Sequence, residues 1–140
     1  MSRIKAREYL MMLLFQMDAR KDYSEKQKEQ FAAEHEIGMT QMDYFQTLCR
    51  LVIEHLEEID HTLNKYTQKW HTNRMAKVDL AVLRLALGEI WYMDDAPTAA
   101  VIDAAVRIAK KFGGEDSSKF VNGILGKIVR DKQNAEKKEN

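Results

Sequence analysis

Proline is almost missing from this sequence. Pro97 is the only one in 140 residues, so little interrupts the long stretches rich in Ala, Leu, Met, Glu, Lys and Gln, for which helix is the low-cost backbone state. Little or no sheet is expected. The lone cysteine, Cys49, excludes an intramolecular disulfide. No apolar run reaches the roughly 18 residues that a membrane-spanning helix needs. The apolar stretch from Tyr9 to Phe15 is followed by Gln16 and Asp18, where a secretory signal would carry a small-residue cleavage site. A reducing cytoplasm is the expected compartment. An excess of either charge is missing too. With 22 basic and 22 acidic residues the formal net charge is zero, so bulk electrostatics do not advertise nucleic acid as a strongly basic domain would.

What is present is an ordinary globular balance, 45% hydrophobic and 31% charged, too apolar for a chain disordered throughout. The length suits one domain, read as residues 1–132 with helical subdomains of about 1–55 and 56–132, ahead of a polar tail, 133–140, expected to fray. Charge is unevenly spread. From Asp22 to Asp60 ten acids stand against three bases, whereas Arg3, Lys5, Arg7, Arg20 and Lys21 at one end and Lys127, Arg130, Lys132, Lys137 and Lys138 at the other are basic. A neutral protein can therefore carry a local basic patch, although any one cluster also fits a solvated helix face.

Apolar periodicity predicts about seven helices in an all-α fold. Ile4, Leu10, Leu13, Leu14 and Met17 give one face of a first helix, Arg3 to Met17. Ser24 is placed to cap a mostly polar second helix over Glu25 to Glu36, with Gly38 as its stop. Thr40 and Asp43 resemble a capping box, after which helical period runs from Phe45 to Trp70, with a break expected near Glu57 to Asp60. Asn73 is the expected cap of a helix apolar on nearly all sides, Met75 to Ile90, and hence the most buried. Thr98 is the expected cap of Ala99 to Phe112. Gly113-Gly114 stops that helix, and Glu115-Asp116-Ser117 opens the last one with acids at the positive end of its dipole.

Catalytic signals are lacking. His35, His55, His61 and His71 have neither zinc-site spacing nor a cysteine companion, and no Walker, GxSxG or GxGxxG element occurs. No metal, no cofactor and no enzymatic activity are expected. Cys49 reads as a small buried hydrophobe. Arg84, inside Val82-Leu83-Arg84-Leu85-Ala86, has to be paired, because a buried lone guanidinium is costly. One surface could bind nucleic acid: Arg3, Lys5 and Arg7 at the start, with Lys119 and Phe120 opening the last helix. Arginines neutralise phosphates and an exposed aromatic stacks on bases, but Phe120 at helical spacing equally fits the core.

Three segments in order resemble the signature blocks of the NusB family: Val78-Asp79-Leu80-Ala81-Val82-Leu83-Arg84-Leu85-Ala86-Leu87-Gly88-Glu89-Ile90, then Val101 to Gly113 ending in Ala109-Lys110-Lys111-Phe112-Gly113, then Lys119-Phe120-Val121-Asn122-Gly123-Ile124-Leu125. The basic start from Ser2 to Glu8, followed by Leu13-Leu14-Phe15-Gln16, is similar to the family's arginine-rich segment. The resemblance implies two packed small helical bundles, and a transcription antitermination factor that binds single-stranded boxA RNA jointly with the ribosomal protein acting as NusE, so that RNA polymerase reads through terminators, notably in ribosomal RNA operons. Carried over by position, it implies RNA contacts at Arg3, Lys5, Arg7, Asp116, Lys119 and Phe120, with Phe15 and Asp79 near the protein partner. The two acids would accept hydrogen bonds from bases or 2′-hydroxyls. Alternatives are a helical homodimeric interaction module, since a face that binds a partner can also self-associate, and an appendage of a ribosomal-RNA methyltransferase system. Against the latter, the 140 residues hold no glycine-rich cofactor loop.

Overall fold

The structure is a computed structural model that describes residues 1–67 and 71–139. Seven helices follow one another: α1 (Arg3–Arg20), α2 (Glu25–Glu34), α3 (Met39–Glu54), α4 (Leu56–Tyr66), α5 (Lys77–Tyr92), α6 (Thr98–Gly113) and α7 (Glu115–Glu139). No strand occurs among the described residues.

The expected helices form, with their ends set by backbone geometry more often than by side-chain caps. Ser2 does cap α1, its hydroxyl accepting the Lys5 N–H at 3.1 Å. Gly38 is not the stop of α2. That helix ends at Glu34, Glu36 takes a left-handed φ of 51°, and Gly38 occupies the N-cap of α3. Thr40, Asn73 and Thr98 cap nothing, since Gly38, Ala76 and Pro97 hold the N-cap positions of α3, α5 and α6. The break between α3 and α4 falls at His55, ahead of the expected place. Beyond Thr67 the expected run to Trp70 lies outside the described residues. Gly114, at φ 97°, ends α6 as its sequence position requires. α7 continues past Arg130 to Glu139, with every side chain from Asp131 to Lys138 exposed.

α5 is the axis of the molecule. α1, α3, α4, α6 and α7 all pack on it, so every residue from Asp79 to Glu89 is buried. The core is one continuous cluster that draws on all seven helices. Arg84 crosses it inside an ion network, as its apolar flanks require. Its Nε and Nη2 donate to the two Asp60 carboxylate oxygens at 2.9 and 2.6 Å, and Nη1 donates to Asp18 at 3.1 Å and to Tyr23 at 3.3 Å. One side chain thereby ties α1 and α4 to α5.

Where α5 crosses α3, the backbones meet at Gly88. A Cβ there would lie 2.5 Å from Val52 Cγ2, and Val52 is fully buried with a stiff β-branched side chain. Gly88→Ala should gain about 1 kcal/mol in helix propensity and lose more to overpacking, typically about 1–3 kcal/mol. The expected result is a net loss of about 1 kcal/mol in urea unfolding. A stabilised variant would show that the α3–α5 crossing yields.

Candidate nucleic-acid interface

The structure divides the sequence-expected residues between two regions. At the start of α1, Arg3 is half-buried. It is ion-paired with Asp95, donates from Nε to Gln41 at 2.7 Å and lies 3.8 Å from the centre of the Tyr44 ring. Lys5 is exposed, 3.4 Å from Glu8. Arg7 faces inward. Its Nε and Nη2 donate to Glu89 at 3.0 and 2.7 Å, and Tyr44 Oη donates to the same carboxylate at 2.6 Å. The structure does not present Arg7 at the surface where it is expected to meet phosphate: only 8% of the residue is exposed and its charge is paired with Glu89. Burial disfavours the charged guanidinium, but the Glu89 hydrogen bonds and charge outweigh it and hold Arg7 protonated. Glu8 is buried as well and collects Lys111 from α6, 3.0 Å away, besides Lys5.

The second region lies at the other end of α5, a helix about 24 Å long at 1.5 Å per residue. Here the close turn between α6 and α7 sets the geometry. A Cβ on Gly113 would come within 2.4 Å of Ser117 Oγ, so only glycine lets the first turn of α7 fold back against α6 and α5. That turn brings Asp116, Ser117 and Phe120 beside Asp79 of α5 and Arg74 of the preceding segment, around a pocket of about 470 Å³. Phe120 is neither wholly core nor wholly free. It is half-buried, packed on the core and lining the pocket at once. Lys119 is exposed beside it.

Asp79 is 7% exposed and its Oδ1 has no hydrogen-bond partner. Burial pushes its carboxyl above the usual carboxylate range, and the neighbouring Ser117 hydroxyl offsets this only in part. An unsatisfied buried acceptor gains from any donor delivered to it. Asp116, exposed, is a second acceptor, and Arg74, also exposed, is a cation. The pocket thus offers an aromatic face, two acceptors and a guanidinium. Phe15, 39% exposed, sits towards the same end of the molecule, because Asp18, one helical turn further along α1, reaches Lys77 at 3.6 Å. Sequence reasoning missed Arg74 and Ser117. Only the segments around them carried a signal, as the entry to α5 and the start of α7.

Other reactive side chains are engaged elsewhere. Burial pushes the Cys49 thiol up to about 12, so no thiolate forms at neutral pH. His35 stacks on Phe31 at 3.8 Å and His55 lies edge-on to Tyr92 at 3.7 Å. No group of three metal-ligating side chains occurs among the described residues, and no described helix is long and apolar enough to cross a membrane.

An all-helical bundle with an open pocket of this chemistry has the form of a helical binding module. The chain belongs to the NusB family, whose model matches residues 4–130. It is similar to the transcription antitermination protein NusB of Acetivibrio thermocellus, 38% identical over 130 residues that cover 93% of this chain and 90% of the relative. Its likeness to the protein of the same name from Thermoanaerobacter pseudethanolicus is 43% over 131 residues, covering 94% and 92%. Among solved structures, NusB of T. maritima superposes with a TM-score of 0.82 at 35% identity, covering 93% of this chain and 92% of that one. A chain from the complex of antitermination factors NusB and NusE with double-stranded RNA superposes with a TM-score of 0.83 at 26% identity, covering 93% and 98%.

Proposed function

We propose that this chain is a cytoplasmic, non-enzymatic transcription antitermination factor. It binds boxA-type RNA together with the ribosomal protein NusE and promotes read-through by RNA polymerase, notably in ribosomal RNA operons. The observation that carries this reading is the match, over nearly its whole length, to a chain from the complex of NusB and NusE with double-stranded RNA. The pocket between α5 and α7 supports it independently, since stacking on Phe120 and hydrogen bonds to Asp79 and Asp116 suit unpaired bases and 2′-hydroxyls. In this reading Lys5 and Lys119 meet phosphates and Arg3 does so in competition with Asp95. Asp116 and Phe120 contact the bases. Phe15 and Asp79 lie where the protein partner meets the RNA. Arg7 acts from beneath, holding α1 on α5 through Glu89.

Few of the cations assigned here are free to meet phosphate, so the lone protein is expected to bind the boxA core weakly. About three neutralised phosphates give a log–log salt slope near −2, and NusE raises affinity by extending the surface. Titration of boxA RNA at several salt concentrations, with and without NusE, measures both quantities. Phe120→Ala should weaken binding roughly 5- to 150-fold, the equivalent of about 1–3 kcal/mol for one stacked base, while the fold survives. A steep slope for the lone protein, no gain with NusE, or an unchanged affinity in Phe120→Ala would overturn this assignment.

A further inference from the structure

We propose that the groove between α4 and the second half of α7 carries the continuation of the RNA strand beyond Phe120. The inference rests on the RNA-binding reading above and extends it to a surface that reading does not use. α4 and α7 both pack on α5 and leave an open cleft of about 1000 Å³ between them. Trp91 of α5 lies in it, Tyr66 and Ile124 form apolar walls, and Lys65, Lys127 and Lys132 are exposed along its edges.

The charge in the cleft has one sign to spare. Asp131 is its single carboxylate among the described residues, and the Tyr66 hydroxyl already donates to it at 2.8 Å. None of the three lysines is ion-paired among the described residues. Lys132 Nζ is held 5.5 Å from the centre of the Trp91 ring, which keeps that cation at the cleft. Unpaired cations interleaved with aromatic faces are what a single strand uses, phosphates meeting the first and bases the second.

Continuity points the same way. Phe120 lines both this cleft and the 470 Å³ pocket beside Asp79, so a strand stacked on that ring passes directly from one to the other. From Phe120 to Ala135 the cleft follows α7 for roughly 22 Å at 1.5 Å per residue, room for on the order of four nucleotides, the lower end of single-strand site sizes.

The test compares a boxA core RNA with the same core extended by about six uridines at one end or the other. One of the extended RNAs should bind about 10-fold tighter than the core, with a salt slope steeper by about 2, as three further phosphates require. Replacing Lys127→Ala and Lys132→Ala together should abolish that difference. Equal affinity of core and extended RNAs for the unmodified protein, or a difference that survives in the double variant, overturns the inference and leaves the RNA-binding reading standing. If neither RNA binds, both fall. Loss of NusE capture by the double variant, with no dependence on RNA length, makes the cleft a protein-docking surface and likewise overturns it.

Discussion

Replacing Arg7 by Met lowers stability by about 3 kcal/mol or more at neutral pH, and any loss of RNA binding follows the loss of folded protein. Glu89 is 1% exposed and accepts two hydrogen bonds from Arg7 and one from Tyr44. Removing the guanidinium leaves a carboxylate in the core with a single neutral donor, and breaking a buried pair from one side costs about 3–5 kcal/mol. The second half of the test is compensation. Adding Glu89→Gln to Arg7→Met removes the stranded charge while leaving an amide oxygen for the Tyr44 hydroxyl, so much of the stability should return. Urea unfolding of the wild type, the single variant and the double variant measures this directly. A single variant that is as stable as wild type yet fails to bind RNA would return Arg7 to the RNA surface and refute the structural role.

Arg84→Met should cost a similar amount, of order 3 kcal/mol, because Asp18 and Asp60 both lose their main donor. The loss should depend on pH. Burial alone would raise the Asp18 carboxyl, but the hydrogen bonds and charges of Arg84 and Lys21 outweigh it and hold it below its ordinary value of 3.8. A carboxylate whose folded pKa is depressed contributes stability above its unfolded pKa and loses it as pH falls through the folded value. The wild type therefore keeps this contribution down to the unfolded value and gives it up as pH falls below 3.8 towards the depressed folded value, whereas the variant lacks the part that Arg84 supplies. The difference between the unfolding midpoints of the two proteins should stay nearly as large at about pH 4 as at neutral pH and shrink only as pH falls further. A melting temperature unchanged by the substitution at neutral pH would sink the argument.

These two arginines show how far a sequence can be read. Arg84 was legible as a paired core residue because its neighbours in sequence, Val82, Leu83, Leu85 and Ala86, already say that this turn has no water around it. Arg7 was not. It shares a helix stripe with Arg3 and stands between Lys5 and Glu8, and nothing nearby says that both Arg7 and Glu8 turn inward. Their partners, Glu89 and Lys111, come from α5 and α6. Phe120 was open to two readings for a related reason. Helical period places it on the apolar side of α7, but how much of that side is covered depends on where α5 begins.

Three of the expected helix caps fail for a smaller reason, whereas Ser24 does hold the N-cap position of α2. Cap preferences are worth about 1 kcal/mol, less than the packing that fixes where α3, α5 and α6 enter the bundle, so Gly38, Ala76 and Pro97 hold positions assigned to Thr40, Asn73 and Thr98.

By itself the sequence determined the helical class, the punctuation at Gly113-Gly114, the all-round burial of α5 and the family, because propensity, periodicity and local motifs are properties of neighbours along the chain. Tertiary structure alone decided which cations remain free, that Asp79 is an unsatisfied acceptor beside Phe120, and that Lys65 of α4 and Lys127 and Lys132 of α7 face one cleft. Charge pairing and exposure depend on groups far apart in sequence, and a chain reveals those only once it has closed on itself.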